Sequence, residues 1–169
     1  MHLGYLRKAY RYLLKRIREL KIHWKLYLFQ SFLATLVLFI IALTLSIENA
    51  VVIASIASTA FIVFTQPSSP PAVPRRIFWG HVLGFCIGCL VNLIPHQYML
   101  TDALVYALAV GLCIFLMMIM DLKHAPAAGT ALGVAITGFS SGVLIAVVTS
   151  ALVLSMAQSR MKGFLKDLA

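Results

Sequence analysis

The sequence predicts an all-α fold: a polytopic transmembrane bundle of about six crossings. These form two inverted three-helix repeats with short or broken second and fifth segments, behind an N-terminal amphipathic helix. Three observations carry this. Of 169 residues, 62% are hydrophobic and 11% charged, whereas soluble domains are roughly half apolar and about a quarter charged. The apolar residues fall in runs that can cross a hydrocarbon layer about 30 Å thick at about 1.5 Å per residue. The fourteen Lys and Arg all lie between those runs or at the chain ends, where orientation signals belong. That placement makes nucleic acid an unexpected partner despite the net charge of +9.

Residues 1–25 read as a basic interfacial helix. Leu6, Tyr10, Leu13, Leu14, Ile17, Leu20 and Trp24 recur at helical spacing, and Arg and Lys fill the other faces. Such a helix suits a headgroup layer of anionic lipids, each nearby cation contributing about 1 kcal/mol. No secretory signal is expected, because the first apolar run begins about 25 residues in and is long enough to span. Residues 26–157 form the expected transmembrane domain, repeat one over 26–95 and repeat two over 101–157, and residues 158–169 form a tail.

Within this domain, residues 26–46 span. Residues 50–66 are shorter and rich in Ala, Ser and Thr. "PSSPPAVPRR" (67–76) is a loop by its prolines. Residues 77–94 and 102–120 span, on either side of the polar turn "PHQYMLT". The apolar stretch 128–156 is too long for one upright helix and has a weak point at "TGFSSG". Splitting it gives six crossings, with every Lys and Arg on one side. That side is expected to be the cytoplasm of a bacterial inner membrane, with both termini there.

The repeat shows in "ASTAFIVF" (57–64) and "AGTALGVA" (128–135), where Ala, Thr, Ala and Val match at an offset of 71. A long apolar helix and an acidic turn with Glu48 or Asp121 precede each, and a polar break follows. Three crossings per half inverts the second half. Interrupted segments at matching places are how membrane transporters mark a midplane site.

The stretch "DLKHAPAAGT" (121–130) then acquires a reading. Pro126 fits the first turn of a helix, whose free amides carry about half a positive charge. In an inverted pair the starts of segments two and five could converge as two opposed helix N-termini. Ala127, Ala128 and Gly129 leave the backbone accessible, and Thr59 and Thr130 add hydroxyl donors beside Ala57, Ser58 and His124. No Lys or Arg sits inside an apolar run. A crossing anion would therefore be held by dipoles and neutral donors, which suits a weakly hydrated monovalent ion better than phosphate or sulfate. The same small residues also suit close helix packing with no ligand, and both readings stay open.

These stretches resemble the HPP family of integral membrane proteins. The residues that carry the likeness are His124-Ala125-Pro126-Ala127-Ala128-Gly129-Thr130-Ala131-Leu132, and 57–64 continuing through Pro67, Ser69-Pro70, Ala72, Pro74-Arg75 and Gly80-His81. The resemblance implies a multi-pass fold and a link to transport of nitrite or nitrate, as in photosynthetic members. Ala125 departs from the family's first proline, which restores a backbone donor and is expected to loosen the turn.

Other residues complete the expectations. Arg75, His81, Asp121 and Lys123 are candidate vestibule or gate residues. No carboxylate lies mid-run, so any proton coupling falls to His81 or His124. Gly80, Gly84 and Gly88 form a small-residue face for helix packing or a homo-oligomer. Cys86 and Cys89 share C-x-x-C spacing, the basis of an alternative reading as a membrane thiol redox protein; with Cys113, they also suit simple packing. A non-transporting membrane scaffold is the third reading. No nucleophile–base pair, phosphate loop or metal cluster points to an enzyme or a cofactor.

Overall fold

The structure, a computed structural model, describes residues 2–42 and 50–168. Six α-helices follow one another: α1 His2–Ala42, α2 Ala50–Thr65, α3 Pro74–Asn92, α4 Met99–Ile119, α5 Pro126–Thr137 and α6 Ser141–Met161, with a 3₁₀ turn at Pro70–Ala72. The acidic turn expected at Glu48 lies outside the described residues.

Prolines set two of the starts. Pro74 and Pro126 each occupy the first turn of their helix, where a missing N–H is no loss and the ring fixes a helical φ. α5 stops at Gly138, whose φ of 76° belongs to the left-handed region glycine tolerates. The Asn92 amide then donates to the Ala135 carbonyl at 2.8 Å, satisfying one of the orphan acceptors at the end of α5.

The helices alternate in direction. Gln30 of α1 donates to the Phe64 carbonyl at the end of α2 and to the Lys166 carbonyl of the tail. Gln158 of α6 donates to the Pro67 carbonyl, and Arg76 of α3 pairs with Asp121 just beyond α4. These contacts gather the end of α2, the start of α3, the end of α4 and the end of α6 at one end of the bundle. Arg75, Arg76, Lys123, Arg160, Lys162 and Lys166 all belong to that end. Tail residues continue the stitching there: the Leu168 amide donates to the Thr65 carbonyl, and the Ser68 amide to Asp167.

Among the described residues three helical segments are long and apolar enough to cross a membrane: residues 21–40 of α1, α4 and α6. α2 has 16 residues and α5 only 12, about 18 Å of helix for α5. The short second and fifth segments are therefore real, and α5 reaches through the bundle only with help from its flanking turns. It sits between α2, α3 and α4, with eight of its twelve residues buried. Eight of those twelve residues are Ala, Gly or Thr, small side chains that let the neighbouring helices approach closely.

Three expectations need correction. The basic segment is not a separate helix: from His2 onward α1 runs unbroken through residue 25 to Ala42, since no proline or glycine interrupts residues 5–42. The face of Gly80, Gly84 and Gly88 is not free for a second copy. It is filled by α5, and a Cβ built at Gly84 would lie 2.3 Å from the Ala127 carbonyl oxygen, one at Gly88 2.7 Å from that of Ala131. The starts of α2 and α5 do not meet tip to tip. Val52 packs against Gly133, and Ser55 against Gly129 and Pro126, so the two helices overlap side by side and antiparallel. Overlap buries both along their length, which tip-to-tip contact could not.

Candidate functional site

Where α2, α3 and α5 cross, five polar side chains meet inside an apolar bundle. Ser55 and Thr59 come from α2, one turn apart on one face. His81 comes from α3, Thr130 from α5, and His124 from the turn before α5. None is more than 5% exposed. Such groups are costly in a membrane interior unless hydrogen-bonded, and each is.

The side-chain bonds run in one chain, with a further contact from Thr59 Oγ1 to the Ser55 carbonyl at 3.2 Å. His124 Nδ1 lies 2.8 Å from the Pro71 carbonyl oxygen, in the 3₁₀ turn. His124 Nε2 lies 2.9 Å from Thr59 Oγ1, which is also 2.8 Å from His81 Nε2. His81 Nδ1 lies 2.7 Å from Thr130 Oγ1, and that hydroxyl is 2.8 Å from Ser55 Oγ. Ser55 donates to the Pro126 carbonyl. The two imidazoles meet edge to face, with centroids 5.2 Å apart. Thr59 and Thr130, the pair related by the offset of 71, bind opposite nitrogens of one ring.

Among the candidates named from sequence, the structure brings Thr59, His124 and Thr130 together. It moves His81 from a vestibule to the centre and adds Ser55. Ser58 is exposed and donates to the Ala54 carbonyl one turn back. Ala57 is half-buried, outside the hydrogen-bond chain. Ala127 and Ala128 do not offer bare amides: their N–H groups donate to the His124 and Ala125 carbonyls at 3.0 and 3.1 Å. Side chains rather than helix tips thus supply the polar groups. Ala125 itself has φ −51° and ψ −38°, a φ proline also adopts, so the expected loosening of the turn is not found.

A lateral groove of about 520 Å³ runs between α2 and α5, lined among others by Ser55, Ser58, Ala125 and Gly129. It brings the outside to within one side chain of the network while the histidines stay closed off. At the basic end, Arg76 pairs with Asp121 at 2.9 Å and Lys123 approaches the same carboxylate at 3.6 Å. The Asp121 carboxyl is held below the usual carboxylate range, first by the Arg76 hydrogen bond. A depressed acid stabilises the fold above its unfolded pKa, and that share fades as pH falls through the folded value. We therefore expect Asp121→Asn to remove a small, salt-sensitive part of the acid-side loss of thermal stability, read by melting curves across pH at low and high salt; an unchanged acid limb would show the pair to be inert.

Cys86 is exposed, Cys89 half-buried and Cys113 buried, all as free thiols. Cys113 donates to the Ala127 carbonyl at 3.8 Å, a packing contact. Among the described residues no group of three or more His, Cys, Asp or Glu is placed to hold a metal ion.

Comparison with known proteins adds lineage to this geometry. A family model described as the HPP transmembrane region matches residues 17–163. Two curated transmembrane proteins of Dictyostelium discoideum are similar to the chain, one 35% identical over 88 residues and the other 30% identical over 104. These matches cover 52% and 60% of this chain but 31% and 33% of the relatives, so the chain matches about a third of their length. No solved structure matches significantly.

Proposed function

The chain belongs to the HPP transmembrane family, and from that premise we propose that it moves a small monovalent anion, nitrite or nitrate, across the membrane. The observation that supports this is the buried hydrogen-bond chain through Thr59, His81, His124 and Thr130. Polar side chains in a membrane interior are expensive and by default mark a permeation or binding path. Hydroxyl and imidazole donors suit a planar oxyanion, and the Arg75, Arg76 and Lys123 rim would concentrate anions at one mouth. With the positive-inside rule, that rim and both termini face the cytoplasm, and the basic part of α1 meets anionic lipid.

In this reading the structure is an occluded state. The hydroxyls and rings satisfy each other until α2 separates from α3 and α5 and an anion takes their place. The two halves are related as inverted repeats, α2 and α5 being the short elements that line the site. A packing-only scaffold is the second reading, favoured by the fact that the chain of bonds is already closed without a ligand.

Uptake of nitrite into proteoliposomes separates them. We expect wild-type uptake above empty liposomes, and at least a tenfold drop for Thr130→Val and His124→Leu with the folded fraction unchanged. Uptake that survives both substitutions would remove the site from the path. Absence of uptake for nitrite, nitrate and chloride alike would leave the scaffold.

A further inference from the structure

We propose that the buried hydrogen-bond chain is a binding site for one excess proton, shared between His124 and His81 across the Thr59 hydroxyl. The inference comes from counting hydrogens. The chain has five side chains and ends on two carbonyl oxygens, those of Pro71 and Pro126. Carbonyls only accept. Six contacts therefore link seven groups, and each contact needs one hydrogen. Ser55, Thr59 and Thr130 bring one hydroxyl hydrogen each, and each neutral imidazole brings one N–H. Five hydrogens cannot fill six contacts. The Ser55 carbonyl, 3.2 Å from Thr59 Oγ1, adds a further acceptor and no donor.

The shortfall can be located. His124 Nδ1 must carry its hydrogen toward Pro71. Ser55 must spend its own on Pro126, so Thr130 donates to Ser55 and His81 Nδ1 donates to Thr130. Both Nε2 atoms are then left as acceptors on either side of a single hydroxyl. Thr59 can satisfy one, and the other meets it lone pair to lone pair at 2.8–2.9 Å. One added proton on either Nε2 turns that contact into a hydrogen bond. Reorienting the Thr59 hydroxyl, with a proton shift along the two bonds, moves the charge from one ring to the other, so it is spread over both.

The charged surroundings are sparse. α2 and α5 bear no ionisable side chain facing the rings. α3 contributes Arg75 and Arg76 and the α4–α5 turn Asp121 and Lys123, all at the basic rim. α4 contributes only the Cys113 thiol nearby, and the cations of α6 lie at its end in Arg160 and beyond. Among the described residues no carboxylate faces the rings. A buried positive charge would also favour an anion alongside it, and binding of the two would be mutually reinforcing. That last consequence rests on the transport reading above; the proton count does not.

The test is ¹⁵N-histidine NMR of the full chain in lipid nanodiscs across pH. The signals of His2, His23 and His96 are identified by single substitution. We expect one imidazolium per network pair, with the two rings sharing the protonation, before any second proton enters. Ser55→Ala removes one side chain and two contacts, leaving four contacts and four hydrogens, so the neutral chain becomes complete. Its first network protonation should shift at least about one pH unit toward acid, a tenfold loss of proton affinity. Thr130→Ser keeps every hydrogen and should titrate like the wild type. Equal titration in wild type and Ser55→Ala, or two rings titrating independently in the wild type, would overturn the proposal. Loss of anion uptake with this pattern intact would refute the transport reading alone.

Discussion

Gly84→Ala is expected to prevent the bundle from closing. A Cβ at that position would sit 2.3 Å from the Ala127 carbonyl oxygen and 3.2 Å from its carbon, and both are backbone atoms that cannot rotate away. α3 and α5 would have to separate by about an ångström or more along their shared face. Overpacking a tight core costs about 1–3 kcal/mol where side chains can yield; here the helices themselves must yield, so we expect the upper end of that range or beyond. The measurement is the yield and melting temperature of protein extracted from membranes. Gly111→Ala is the control, since nothing lies within 4 Å of a Cβ there, and it should be neutral or slightly stabilising. If both variants melt like the wild type, the α3–α5 contact is looser than described.

His81→Leu should damage function more than any other single change in the network. His81 is 1% exposed, and its two nitrogens join Thr59 to Thr130 through one ring. Leucine would remove both of those contacts, at about 1 kcal/mol for each hydrogen bond lost, while Thr59 keeps His124 and Thr130 keeps Ser55. We expect nitrite uptake to fall at least a hundredfold and the melting temperature to drop by several degrees. Both must be read together. A fall in uptake with stability preserved assigns His81 to the path. A fall in stability alone, with uptake per folded molecule intact, would confine it to packing.

Much of this arrangement was legible in the sequence because membrane helices announce themselves by apolar runs and by what interrupts them. Pro126 marked the start of α5, and the Ala/Gly/Thr character of residues 128–135 marked a helix wedged among others, whereas Pro74 reads as part of the loop and in fact opens α3. Thr59 and Thr130 could be singled out because they match at the offset of 71, and His124 because it precedes the Ala125-Pro126 that opens a helix. Ser55 was harder. A serine among alanines carries no signal by type, and only its spacing of four from Thr59 places it on the same face. The partner of the Gly80, Gly84 and Gly88 face was not legible, since a small-residue stripe fits an internal helix as well as a second copy. The orientation of α2 against α5 was misjudged for a related reason: helix dipoles suggest that free tips attract ligands, while the larger area of side-by-side packing decided the outcome. Gln30, buried against the end of α2 and the tail, was one polar residue in an apolar run, with nothing local to name its partners.

The brevity of α5 has a consequence for where this protein can work. Because α5 packs against α2, α3 and α4 with most of its residues buried, most of its mismatch with the bilayer is absorbed within the protein. Lipids of different chain length would strain the outer helices and leave the central column at its own height. The height of the buried hydrogen-bond chain is then set by the polypeptide and is carried unchanged from a thin host membrane to a thick one.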